Sequence, residues 1–297
     1  MSGEQHSGIQ WLRSVEFNVS DLALSSAFYQ ERWGLTLVAE SGGAVYLRGT
    51  GREHHLLVLR AGEIPSVRSV TFGASDRASI DDLYARLAGV AATAPAQVDE
   101  PGGGYGFAFT DLEGRQIRIV ADIAEHPDTL TRSDVPFKLS HVVYTSRDAD
   151  AASAFYQRLG FRLRDQTGKI FFLGCNAEHH CLAFGRGTSP ELSHVAFDLP
   201  SIDGLMRGVG RLKSEGLAIE HGVGRHGPGD NVFAYFMDRD EFVVEYTAEM
   251  EHVDDRTYTF HGPEFWDQRT TIDAWGLADP PTERFRTRHA RRPAVRT

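Results

Sequence analysis

The hydrophobic pattern changes period repeatedly along this chain. Short runs of β-branched and aromatic residues at Val15–Val19 and Val142–Thr145 predict strands. In Leu22–Trp33 and Ala149–Leu159 the apolar residues recur at helical spacing. Leu24 and Phe28 share one face of the first, and Ala151, Phe155 and Leu159 one face of the second. A glycine follows each helix, Gly34 and Gly160, as a stop. Ser79–Leu87 and Ser201–Lys213 predict further helices, each opening on Ser-Ile-Asp with the serine as cap. Strands follow at Tyr105–Thr110 and Val232–Met237, then at Gln116–Val120 and Phe242–Tyr246. Each half therefore reads as strand, helix, strand, strand, twice over. Ala124–Pro136, with two prolines and several polar residues, reads as a linker.

The two halves repeat each other. Ser14–Gln30 answers His141–Gln157 at an offset of 127, and both stretches end in Ala-Phe-Tyr-Gln. Gly51–Leu59 answers Asn176–Phe184, each with a Glu-His-His core, and Ser69–Phe72 answers His194–Phe197, both at an offset of 125. Phe109-Thr-Asp111 with Arg118 answers Phe236-Met-Asp238 with Glu245 at an offset of 127. Four segments in one order at nearly one offset indicate a duplicated domain.

Composition narrows the function. With 297 residues, 41% of them hydrophobic and 24% charged, a sizeable core forms. A net charge of -10 repels phosphate backbones and anionic membranes, which argues against nucleic acid or membrane as main partner. No apolar run approaches the ~20 residues needed to cross a bilayer, and the start of the chain has no secretory signal pattern. Two cysteines, Cys175 and Cys181, make no disulfide framework and suit a reducing cytoplasm as small buried hydrophobes.

The second half carries chemistry that the first half lacks. His141, His194 and Glu245 stand where the first half has Ser14, Ser69 and Arg118, so the repeated backbone does not require them to fold. Two imidazoles and one carboxylate on one face of a metal leave adjacent positions open, the arrangement of non-haem Fe(II) oxygenases. Arg118, by contrast, puts a positive charge where a cation would sit. One metal site is expected, in the second half.

With Cys175-Asn-Ala-Glu-His-His180-Cys-Leu-Ala-Phe184 and the stretch from His226 through Tyr235 and Asp238 to Glu245, the chain resembles the type I extradiol ring-cleaving dioxygenases of the vicinal oxygen chelate superfamily. The resemblance covers residues 10–275 or so. It implies an α+β fold of four βαβββ modules in two tandem domains: a metal-free domain at 8–123, a linker at 124–137, a catalytic domain at 138–250 and an extension at 251–297. It also implies His141, His194 and Glu245 as ligands of Fe(II), with Mn(II) suiting the same set and O2 as co-substrate. His180 would be the acid–base histidine, with His179 the competing assignment, because His54-His55 occupies the same place in the first half. His226 and Tyr235 would orient a catechol-type substrate, with Val143 and Phe172 as pocket walls, and the product would be of the hydroxymuconic-semialdehyde type. The family turn Asp-Pro-x-Gly reads here Asp238-Arg239-Asp240-Glu241, a departure at two positions.

Tyr258, Phe265-Trp266 and Trp275-Gly276 resemble the family's tail near the cleft. Six arginines between 284 and 296 suggest a solvated tail or one pairing with the acidic body of a neighbouring subunit, homo-oligomers being usual in the family. A metal-dependent isomerase or a small-aromatic-binding protein of the same superfamily is the alternative. Neither needs the further set of His180, His226 and Tyr235.

Overall fold

The computed structural model describes residues 8–126 and 132–291. Linker residues 127–131 and the tail beyond 291 lie outside the described residues. The first half comprises β1 (Ile9–Val19), α1 (Leu22–Ala27), β2 (Thr36–Ser41), β3 (Ala44–Arg48), β4 (Leu57–Ala61), β5 (Ser66–Ala74), α2 (Arg77–Arg86), β6 (Ala96–Gln97), β7 (Tyr105–Thr110) and β8 (Gln116–Ala121). The second half repeats the series. It comprises β9 (Lys138–Ser146), α3 (Ala149–Arg158), β10 (Arg162–Gln166), β11 (Ile170–Gly174), β12 (Leu182–Arg186), β13 (Leu192–Asp198), α4 (Ile202–Ser214), β14 (His221–Arg225), β15 (Val232–Met237) and β16 (Val243–Ala248). Short helices α5 (Pro263–Trp266) and α6 (Glu283–Arg291) follow.

Each half forms one eight-stranded sheet, ordered β2-β3-β4-β1-β5-β8-β7-β6 and β10-β11-β12-β9-β13-β16-β15-β14. The orders are identical, and the first strands of the two modules, β1 with β5 and β9 with β13, pair antiparallel at the centre. This is the α+β architecture of four βαβββ modules in two tandem sheets. Each module has three strands after its helix, one more than the sequence pattern alone gave. Among the described residues no helix is long and apolar enough to cross a membrane.

Strand alternation divides each central strand between two faces. Val142, Tyr144, Val195, Phe197, Val244 and Tyr246 belong to the apolar core that both halves share. The intervening His141, Val143, His194 and Glu245 face the other way. The core is continuous across the halves: Trp33 meets Phe197, Phe236 and Tyr246, while Phe17 stacks on Phe242 at 4.2 Å.

The repeated Ala-Phe-Tyr-Gln and Phe-x-Asp segments turn out to be interface devices. Tyr29 of the first half donates to Asp238 of the second at 2.7 Å, and Tyr156 of the second donates to Asp111 of the first at 3.2 Å. The two halves exchange the same hydrogen bond, so the tyrosine and aspartate kept in both copies help to join them.

Three local expectations are corrected. The first helix is α-helical only to Ala27 and then widens into a π turn over Phe28–Arg32, with Trp33 N–H donating to the Phe28 carbonyl. Phe28 and Tyr29 are buried there, while Leu24 is 47% exposed rather than on the core face. Asp76, not Ser79, caps α2, its carboxylate accepting from the Ser79 N–H at 2.8 Å, because the helix begins two residues earlier. The last core strand starts at Val243, with Phe242 buried in the turn before it.

Candidate metal centre

Three strands deliver the predicted triad to one point. His141 lies on β9, His194 on the adjacent β13 and Glu245 on β16, with the ladder pairing Ala196 to both His141 and Glu245. His141 Nε2 and His194 Nε2 are 3.3 Å apart, and each lies 3.3 Å from the same oxygen, Oε2 of Glu245. Each histidine Nδ1 contacts the hydroxyl of the preceding serine, Ser140 at 3.1 Å and Ser193 at 3.3 Å. With Nδ1 so occupied, the Nε2 lone pairs are the ones turned inward.

This arrangement fits a cation. Glu245 is fully buried, and neither of its carboxylate oxygens has a hydrogen-bond partner among the described residues. Three electron-rich atoms at mutual 3.3 Å repel one another unless a positive charge lies between them. A triangle with those edges is one face of an octahedron whose centre is about 2.3 Å from each corner, near the usual reach of divalent-metal bonds. His141, His194 and Glu245 form the one such cluster found among the described residues. The equivalent first-half positions are tied up differently: Arg118 donates to Glu100 at 2.8 Å and Ser69 to Glu16 at 3.0 Å.

The other predicted residues ring this point. The His180 ring lies 4.7 Å from that of His141 and 5.0 Å, edge-on, from Phe172. Gly229 closes over it, since a Cβ there would fall 2.9 Å from His180 Cε1. Burial, then the neighbouring His141, drives the His180 pKa well below its ordinary value. His226 lies beyond, with Nδ1 donating to the Ile272 carbonyl at 2.8 Å. That fixes Nε2 as an acceptor, and it takes the Tyr235 hydroxyl proton at 2.9 Å. Burial lowers the His226 pKa, and burial with Glu245 nearby raises that of Tyr235 well above its usual value. Tyr235 is the cross-strand partner of Glu245, and its ring is 5.1 Å from His194. Val143 faces the same side as His141, opposite the core.

His179 and His180 are both buried but face different groups. His180 faces the triad, while His179 contacts Asp165 and Tyr258. Sequence reasoning missed Asp165, and it missed Phe285, whose ring lies 5.3 Å from Tyr235. It also read the arginine-rich segment as solvated or directed at another subunit. Among the described residues Arg284 instead pairs with Glu220 and Arg288 donates to the Glu241 carbonyl, because α6 folds back against the second sheet.

The Asp238–Glu241 turn closes despite its departures. Asp238 Oδ1 accepts from the N–H groups of Asp240 and Phe242, at 2.9 and 2.8 Å. Glu241 takes φ +63°, where the first half has Gly114 at +89°.

Paired βαβββ modules around a His-His-Glu cluster that could hold one metal ion are what this fold and site define. Residues 138–246 match the Glyoxalase/Bleomycin resistance protein/Dioxygenase superfamily. The Mn(II)-bound glyoxalase of Novosphingobium aromaticivorans is 35% identical, with 93% of each chain covered and a TM-score of 0.85. The biphenyl-2,3-diol 1,2-dioxygenase of Metapseudomonas furukawaii is 26% identical over 89% of this chain and 95% of its own. Metapyrocatechase 2 of Cupriavidus necator is 28% identical over 40% of this chain and 38% of its own length. The chain belongs to the Glyoxalase/Bleomycin resistance protein/Dioxygenase superfamily.

Proposed function

We propose that this protein cleaves catechol-type diols with O2 at a mononuclear Fe(II) held by His141, His194 and Glu245. The observation that carries the reading is the company these three keep: His180 and the His226–Tyr235 pair stand around one buried point. Similarity to a biphenyl-2,3-diol dioxygenase over most of both chains supports it. Residues 138–250 would be the catalytic domain and 8–123 a metal-free scaffold.

When bound, Fe(II) would acidify a coordinated catechol hydroxyl and supply the redox partner that O2 needs. Buried and kept neutral, His180 would take the hydroxyl proton and return it as the ring opens to a hydroxymuconic-semialdehyde type product. Tyr235, whose proton is lent to His226, would turn that hydroxyl toward a substrate oxygen and hold the ring in register. Val143 and Phe172 would wall the pocket.

The test is direct. Protein purified without oxygen and reloaded with Fe(II) should consume equimolar O2 with catechol and develop visible absorbance. Catechol binding without oxygen uptake would sink the proposal. The likeness to a Mn(II)-bound glyoxalase favours a second reading, a metal-dependent isomerase. Turnover of an isomerase substrate under strict exclusion of O2 would decide for it.

A further inference from the structure

His180, buried beside the triad, is in contact with a second histidine. His180 Nδ1 lies 3.0 Å from His179 Nδ1. Two lone pairs at that distance would repel, so one proton lies between them. Which nitrogen owns it decides whether His180 presents a bare Nε2, a base, or an Nε2–H.

The answer comes from behind His179. Its Nε2 lies 3.2 Å from Asp165 Oδ2 and 3.0 Å from the Tyr258 hydroxyl. Asp165 is buried and collects donors: on its Oδ1 the Tyr258 hydroxyl at 3.0 Å, the His261 N–H at 3.1 Å and His261 Nδ1 at 3.2 Å. A carboxylate only accepts, and a tyrosine that donates to it leaves an oxygen that accepts. Both neighbours of His179 Nε2 therefore require a proton on that nitrogen. A neutral His179 then has a bare Nδ1, which accepts from His180 Nδ1–H. His180 is left with Nε2 bare.

The duplication supplies a control within the same chain. His54 and His55 of the first half make the same contact, Nδ1 to Nδ1 at 3.1 Å. The pair is thus part of the repeated architecture. Asp165 is not: it sits at a register shift opposite Phe172, and the equivalent shift opposite Tyr46 holds Ala39. The half that gathers the metal triad is the half that adds a carboxylate behind its histidine pair.

We propose that Asp165, acting through His179, is a positioning residue that holds His180 as the Nδ1–H tautomer with Nε2 free to take the substrate proton. The inference rests on the reading of His180 as the base. Its outer end is His261, 31% exposed, whose ring contacts the same Asp165 oxygen as Tyr258. The C-terminal extension, which supplies Tyr258 and His261, thereby becomes part of the device.

The experiment reads tautomers and kinetics separately. Nitrogen NMR of histidine-labelled protein carrying diamagnetic Zn(II) should show His180 protonated at Nδ1 and His179 at Nε2. In Asp165→Asn the amide oxygen stays with the Tyr258 and His261 donors, so its NH2 group faces His179. Both histidines should then reverse tautomer. In the Fe(II) enzyme kcat should fall about a hundredfold or more, with KM and metal content unchanged. A residue that merely supported the fold would shift stability or metal content and leave the tautomers alone. Wild-type His180 protonated at Nε2, a doubly protonated His179, or D165N with unchanged tautomers and kcat would each overturn the proposal. The wild-type spectrum decides even if D165N does not fold. Should the tautomers behave as expected while the wild type consumes no O2, the dioxygenase reading falls and the positioning by Asp165 stands.

Discussion

Removing one hydroxyl from the contact between the halves should cost stability in a pH-dependent way. Tyr29 is fully buried, and its hydroxyl is the side-chain donor to Asp238 Oδ2 at 2.7 Å. Burial outweighs this bond and two backbone donors, and pushes the Asp238 carboxyl up to about 7 from 3.8. Because the folded value lies above the unfolded one, the group's contribution to stability is complete below about pH 4 and is lost as pH rises to about 7. Tyr29→Phe leaves Oδ2 without its donor in a space that excludes water. Near pH 6 the loss is that of a neutral hydrogen bond, about 1 kcal/mol. Near pH 8 the carboxylate is charged and the loss rises to about 2 kcal/mol. For a chain of this size that is about 1.5 and 3 °C in Tm.

Tyr156→Phe is the matched comparison. Asp111 keeps Arg115 Nη1 at 2.9 Å and the backbone N–H groups of Glu113 and Arg115, so its loss should be smaller than that of Tyr29→Phe at pH 8. Calorimetry of parent and variants at pH 6 and 8, all in one metal state, reads both differences. Equal losses for the two variants at pH 8, or a Tyr29→Phe deficit that shrinks as pH rises, would refute the reasoning.

Other outcomes follow from the site and its surroundings. His194→Ala should lose bound metal, whereas His180→Ala should keep it and lose most turnover; equal metal loss in both, by elemental analysis, would mean the roles are wrong. Chelation should lower Tm by several degrees, because it leaves the buried Glu245 carboxylate uncompensated; an unchanged melting curve after verified metal removal would contradict the cradle geometry. Glu241→Gly should stabilise by about 1 kcal/mol in urea unfolding, since Glu241 holds φ +63° on an exposed turn where the first half uses glycine. A destabilised variant would show that the side-chain contact of Glu241 with Arg284 outweighs the backbone strain.

The sequence by itself determined the duplication, several of the strands and which second-half residues differ from their first-half counterparts in a way that could hold a metal. Register offsets of 125 to 127 set His141, His194 and Glu245 against Ser14, Ser69 and Arg118, but only the pairing register of β9, β13 and β16 brings the three to one face. Local pattern also placed Tyr105–Thr110 and Val232–Met237 as they are found. What it could not fix depends on contacts between distant segments. The π turn at Phe28–Arg32 is one such feature: the matching Phe155 and Tyr156 are buried and bonded across the halves in the same way, yet their helix stays α-helical. The division between His179 and His180 needed Asp165 and Tyr258, 14 residues before and 79 after His179 in the chain. A sequence repeat reveals which positions are shared between the copies. Only the folded chain shows that the shared tyrosines join the halves, while an unshared aspartate stands behind the site.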